Sequence, residues 1–157
     1  RPRERILEIM RDSHIGTMGV LAIVAVMGLK ISAIVSIPDE AIPFAVGFAA
    51  LSGRCAIVLY INISKYAREI GLGQLMFKSK SLISCVFALA VWLYAAFYIF
   101  GLYGLVGTLI LALFPFVWAF YTKMKIGGAT GDTIGACEEL TEMLSLLMVT
   151  FLFHHRF

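Results

Sequence analysis

Apolar residues in this chain come in long unbroken runs, not in strand-like alternation. Five runs, over residues 15–37, 41–63, 82–100, 105–121 and 132–153, are separated by short polar or Gly/Pro-marked breaks. A helix rises about 1.5 Å per residue, so runs of this length reach across a hydrocarbon core of roughly 30 Å. Lipid offers the backbone no hydrogen-bond partner, so each span has to be helical. The pattern predicts an all-α, polytopic membrane bundle of about five transmembrane helices in one domain over 1–157. Pro38, Asp39, Glu40 and Pro43 mark the first outer turn and Gly101–Gly104 the second. Pro115 is the expected kink of the fourth span. Gly16, Gly19 and Gly28 allow close helix approach in the first.

Composition agrees: 61% of residues are hydrophobic, only 15% are charged, and the mean hydropathy is +0.91, well above the apolar share of an ordinary soluble domain. The net charge of +3 matters through its distribution. Basic residues fall in an acidic helix expected over 1–14, in a polar connection over 64–81 (Lys65, Arg68, Lys78, Lys80) and in a Gly-rich loop over 122–132 (Lys123, Lys125). The turns at 38–40 and 101–104 carry none. By the positive-inside tendency the N-terminus and both basic segments lie on the cytoplasmic face, and five spans alternate consistently; Arg156 alone disagrees mildly. The centre of the connection, 67–77, has the makings of an interfacial helix broken by Gly71 and Gly73. The expected surroundings are the lipid bilayer of a bacterial or archaeal cytoplasmic (inner) membrane, with no nucleic-acid partner and with a homo-oligomer left open. Cys55, Cys85 and Cys137 are odd in number and scattered, and read as small apolar helix residues. The chain starts with Arg, and an N-terminal segment is expected to be missing.

Three sets of residues carry candidate chemistry. Glu4, Glu8 and Asp12 recur at i, i+4 and i+8, which on a helix lines them along one stripe. A bound cation would relieve their repulsion; a solvated helix face beside Arg5 and Arg11 is the plain alternative. Arg54 falls mid-span, where a lone charge costs at least about 2.5 kcal/mol; it is expected to face the interior and pair with an acid or an anionic ligand, near the acid stripe. Lys30 is expected to snorkel to the interface. Residues 127–133 lead into the fifth helix. Their glycines and the helix N-terminus suit an anion, while N-capping by Thr130 or Asp132 is the plain alternative. Asp132, Glu138, Glu139 and Glu142 in one apolar helix point to a polar cavity. Arg68, beside Tyr66, is a candidate for phosphate or head groups. His14, His154 and His155 are assigned no role.

The segments Arg5–Gly19, Ser52-Gly53-Arg54 and Gly127–Ala136 resemble, in order, "RLEIMKDSRIGTFG", "GR" and "GGxTGDTLGA" of the cobalamin synthase family, the adenosylcobinamide-GDP ribazoletransferases. The resemblance spans nearly the whole chain. It implies a polytopic inner-membrane enzyme that joins adenosylcobinamide-GDP to α-ribazole or α-ribazole 5′-phosphate, releases GMP and needs Mg²⁺. It also implies roles: Glu8 a metal ligand, Asp12 a ligand or the base that takes the acceptor's proton, Glu4 an outer-shell acid. Arg54 and Arg68 would bind phosphate oxygens, and Thr130, Gly131 and Asp132 would line the substrate pocket. The family's upstream "ADxxDG" segment has no counterpart in these residues. The chemistry is similar to that of CDP-alcohol phosphotransferases, so a phospholipid synthase is the nearest alternative. A non-enzymatic membrane subunit or transporter is the one from another class.

Overall fold

The structure is a computed structural model and describes residues 2–12, 14–67, 74–78 and 80–155. Among the described residues seven helices follow one another: α1 (Arg3–Ile9), α2 (Thr17–Val35), α3 (Ile42–Ile63), α4 (Gln74–Lys78), α5 (Leu82–Leu111), α6 (Phe114–Ile126) and α7 (Gly131–His154), with a 3-10 turn, Asp39–Ala41, leading into α3. Among the described residues there is no strand, only an isolated parallel bridge between Tyr66 and Ala129. Among the described residues three stretches are long and apolar enough to cross a membrane: Thr17–Val35, Asp39–Ile63 and Leu82–Ile126. The fold is the predicted all-α membrane-type bundle.

The third and fourth expected spans are joined in α5, which contains one non-helical residue, Gly101, at φ 67°, ψ −154°. A positive φ is where glycine alone is at ease, and here it reverses the chain. Before it, Trp92 meets Ser52 of α3 and Phe100 meets Phe48. After it, Gly107 lies against Met148, and Trp118 of α6 reaches back to Thr133. The turn expected at 101–104 is therefore real, although helix resumes immediately. Pro115 does not kink a continuous span. The helix ends at Leu111, and Pro115 sits in the first turn of α6, where no intrahelical N–H is needed. α6 runs on to Ile126, so Lys123 and Lys125 belong to its last turn, and the expected loop over 122–132 shrinks to 127–130. Of the expected interfacial helix over 67–77, α4 is a short piece; Gly71 and Gly73 lie outside the described residues, as does Arg156.

α3 is the central element. Its Ser52 accepts from the Trp92 Nε1–H (2.8 Å), lies 3.1 Å from Ser145 Oγ of α7, and donates to the Phe48 carbonyl. Trp92, Tyr60 and Phe48 are the largest fully buried side chains. Cys55 and Cys137 are buried free thiols, as expected of small apolar residues. The outward faces are apolar: Leu21, Val24, Phe87, Tyr98, Val117 and Phe120 are all exposed. A surface like this suits lipid, since soluble monomers rarely expose contiguous apolar area on that scale.

Candidate functional site

One end of the bundle gathers three segments far apart in sequence. The extended stretch 64–67, after α3, pairs with 127–130, between α6 and α7: the Ala67 N–H donates to the Ala129 carbonyl (2.8 Å) and the Ala129 N–H to the Lys65 carbonyl (2.7 Å). The backbones lie so close that a Cβ on Gly128 would collide with the Lys65 carbonyl oxygen. Arg3 of α1 locks onto both strips, donating from Nε to the Ile126 carbonyl (2.9 Å) and from an Nη to the Ala67 carbonyl (3.0 Å). The N-terminal motif and the Gly-rich motif are thus physically joined through one arginine that the sequence did not single out. The convergence itself was expected; the device was not, because a lone Arg beside two acids looks like a solvated pair.

The acid stripe is only partly built. α1 ends at Ile9, so Glu4 and Glu8 share a helix and Asp12 lies beyond it. Glu8 pairs with Arg5 (2.7 Å) on the exposed face. Asp12 instead accepts from the His14 N–H (3.0 Å) and meets its ring Nδ1 (2.6 Å). The His14 backbone bond first, then the ring contact, hold the Asp12 carboxyl below its ordinary value. His14, assigned no role from sequence, is therefore the neighbour of the foremost acid; its i+2 spacing after Asp, typical of an Asx turn, was the available signal. Glu4, Glu8 and Asp12 are all exposed. Among the described residues no three His, Cys, Asp or Glu side chains converge as a closed metal cage would need. Mg²⁺ does not require one: it commonly takes one or two carboxylates and fills its remaining positions with water and phosphate oxygens. Exposed hard oxygen donors of this kind fit it.

Thr130, Gly131 and Asp132 separate in role. Thr130 is fully buried and caps α7: it accepts from the Thr133 N–H (3.3 Å), while Thr133 Oγ1 accepts from the Thr130 N–H (2.8 Å). The Tyr60 hydroxyl braces this box, 2.9 Å from Thr133 Oγ1 and 3.0 Å from Thr122 Oγ1. The capping alternative thus describes Thr130. Gly131 opens on free space, and Asp132 is exposed in the first turn of α7.

Arg54 departs from its expected place. Its guanidinium pairs with Glu138 and Glu142 of α7, and its side chain is 64% exposed, so it neither points inward nor joins the N-terminal acids. The cause lies one residue earlier. Gly53 packs against the Glu138 and Glu142 stems, with no room for a Cβ, and one helical step of about 100° swings Arg54 to the flank. Lys30 does not snorkel away either. It is 12% exposed and bonds Glu139 (2.6 Å) and Glu142 (2.8 Å). Two cations and three carboxylates from α2, α3 and α7 form one network. It was legible in part: Arg54 pairs with acids as expected, and Lys30 and Arg54 are the only basic residues inside the apolar runs; the α7 glutamates expected to line a polar cavity meet these cations in ion pairs, with Glu139 56% exposed. Arg68 lies outside the described residues.

A profile of the family described as cobalamin-5-phosphate synthase matches residues 1–150. Proteins named adenosylcobinamide-GDP ribazoletransferase are similar throughout. The one from Klebsiella pneumoniae is 39% identical over 149 residues, covering 94% of this chain and 61% of that protein. The one from Thermoanaerobacter pseudethanolicus is 36% identical over 94% of this chain and 60% of its own. That from Caldanaerobacter subterraneus is 36% identical over 97% of this chain and 62% of its own. The chain thus spans about three-fifths of the length of the curated relatives it matches. No solved structure matches it.

Proposed function

Because the chain belongs to the cobalamin-5-phosphate synthase family, we propose that it carries the acceptor-facing part of a membrane transferase that joins adenosylcobinamide-GDP to α-ribazole or α-ribazole 5′-phosphate, with GMP leaving, at the cytoplasmic face of a bacterial or archaeal inner membrane. The observation that carries the reading is the joined rim, where Arg3 ties the segment bearing Glu8 and Asp12 to the Gly-rich loop. In this reading the five runs are five spans, and the rim is where water-soluble substrates meet the bilayer.

Asp12 is the proposed base, or shares a metal ion with Glu8. Asp12 is exposed and accepts from the His14 N–H, and a carboxylate in reach of solvent is what can accept the acceptor hydroxyl's proton. Glu8 stands on α1, with Arg5 as an exposed and easily displaced partner; Glu4 supports it from one turn before. Mg²⁺, held by Glu8 and Asp12, would neutralise diphosphate charge and steady the leaving nucleotide. Gly131 and Asp132 line the acceptor's approach, with Thr130 keeping the α7 N-terminus in shape. Arg68 binds phosphate oxygens. Arg54, already engaged by two glutamates, acts as a positioning residue for α7 and not as a phosphate ligand.

Asp12→Asn in the intact protein in membranes should lower GMP release roughly 10²-fold or more while expression and thermal midpoint stay unchanged. Undiminished turnover would refute the role of Asp12. CMP release from a CDP-alcohol, in place of GMP release, would refute the substrate.

A further inference from the structure

Beside the joined rim, but apart from the proposed acid site, a groove of about 320 Å³ runs between the end of α3 and α6. Its floor holds Ser64, Lys65, Lys123 and the backbone of Gly128; its outer wall includes Ile63 and Phe120. Ser64 is 6% exposed and lines the groove. Inside the protein its Oγ has the neighbouring Tyr60 hydroxyl to turn to, and that hydroxyl is also engaged by Thr122 and Thr133, so Ser64 keeps hydrogen-bonding capacity for a ligand in the groove.

The charges point the same way. Among the described residues neither Lys65 nor Lys123 meets a carboxylate. Lys80, whose ammonium donates to the Ser64 carbonyl, is close enough to Lys65 to feel its charge. Orientation by the positive-inside tendency accounts for basic residues on this face. It does not account for two of them sharing a cleft with the buried Ser64 hydroxyl. Ile63 and Phe120 are 42% and 66% exposed on the apolar outer face, so a ligand resting there has to be apolar below and anionic above.

We propose that this groove seats an anionic phospholipid, its phosphodiester between Lys65 and Lys123 with Ser64 Oγ as a further donor, and its acyl chain along Ile63 and Phe120. The floor is held rigid by the paired 64–67 and 127–130 backbones, so the seat is built before the lipid arrives.

The test measures the thermal midpoint and the phospholipid retained in native mass spectrometry for the intact protein in phosphatidylcholine nanodiscs, with and without phosphatidylglycerol. Phosphatidylglycerol should raise the midpoint and be retained. The double variant Lys65→Gln/Lys123→Gln should lose most of that rise, and Ser64→Ala part of it. Lys78→Gln/Lys125→Gln, on the same rim but not lining the groove, should keep it. An equal loss in the two double variants would reduce the effect to bulk surface charge and overturn the proposal. So would the absence of any rise, or a full rise produced by inorganic phosphate without phosphatidylglycerol, which would assign the groove to a free phosphate.

Discussion

The mid-bundle network and the rim use the same side chains to opposite ends. At mid-bundle, Lys30 and Arg54 are matched to Glu138, Glu139 and Glu142 across three helices. At the rim, among the described residues, Glu8 and Asp12 have only near neighbours in sequence, Arg5 and His14, and stay exposed. The difference follows from the medium. Within the apolar spans an unpaired charge is strongly penalised, so these charges seek long-range partners, and in finding them they fix how α2, α3 and α7 sit together. Where water is present, a surface pair contributes about 1 kcal/mol or less. Rim acids can therefore give up their partners to a substrate, and mid-bundle acids cannot. Charge inside the bundle does structural work, and in the proposed reading chemistry is left to the rim.

The largest expected effect is on the network. Lys30→Met leaves Glu139 and Glu142 with one cation fewer and should destabilise the folded state by about 3 kcal/mol or more, read as a drop in thermal midpoint in detergent. Adding Glu139→Gln should restore much of the loss. If Lys30→Met were neutral, the two regions would not differ and the contrast would fail. Next is the joint holding the rim. Gly128→Ala sets a Cβ against the Lys65 carbonyl oxygen and should cost about 1–3 kcal/mol, with faster hydrogen exchange at the Ala67 and Ala129 amides. Glu8→Gln should do the reverse of Lys30→Met: less than about 1 kcal/mol of stability is lost, while turnover collapses. The smallest effect is a pH dependence. Burial first, and the Lys65 charge second, lower the Lys80 pKa from its ordinary 10.5. Over the interval just below 10.5 the unfolded chain therefore binds more protons than the folded one, and stability rises with pH. Lys80→Gln should flatten that rise in midpoint measured against pH.

The apolar runs by themselves determined the helical class and the approximate ends of α2, α3 and α7, because lipid permits one backbone solution and a span's length follows from bilayer thickness; the ends of α5 and α6 were not among them. The two long motifs likewise made the family legible. Only the tertiary structure decided which charges meet. Arg54 turned to the flank because Gly53 took the close contact with α7, and Lys30 found Glu139 and Glu142 because α2 lies along α7. Pro115 began a helix because the preceding one had ended at Leu111, and Asp12 left the stripe because α1 stopped at Ile9. Rotation and depth of one helix against another depend on residues from both, and no single run of sequence contains them.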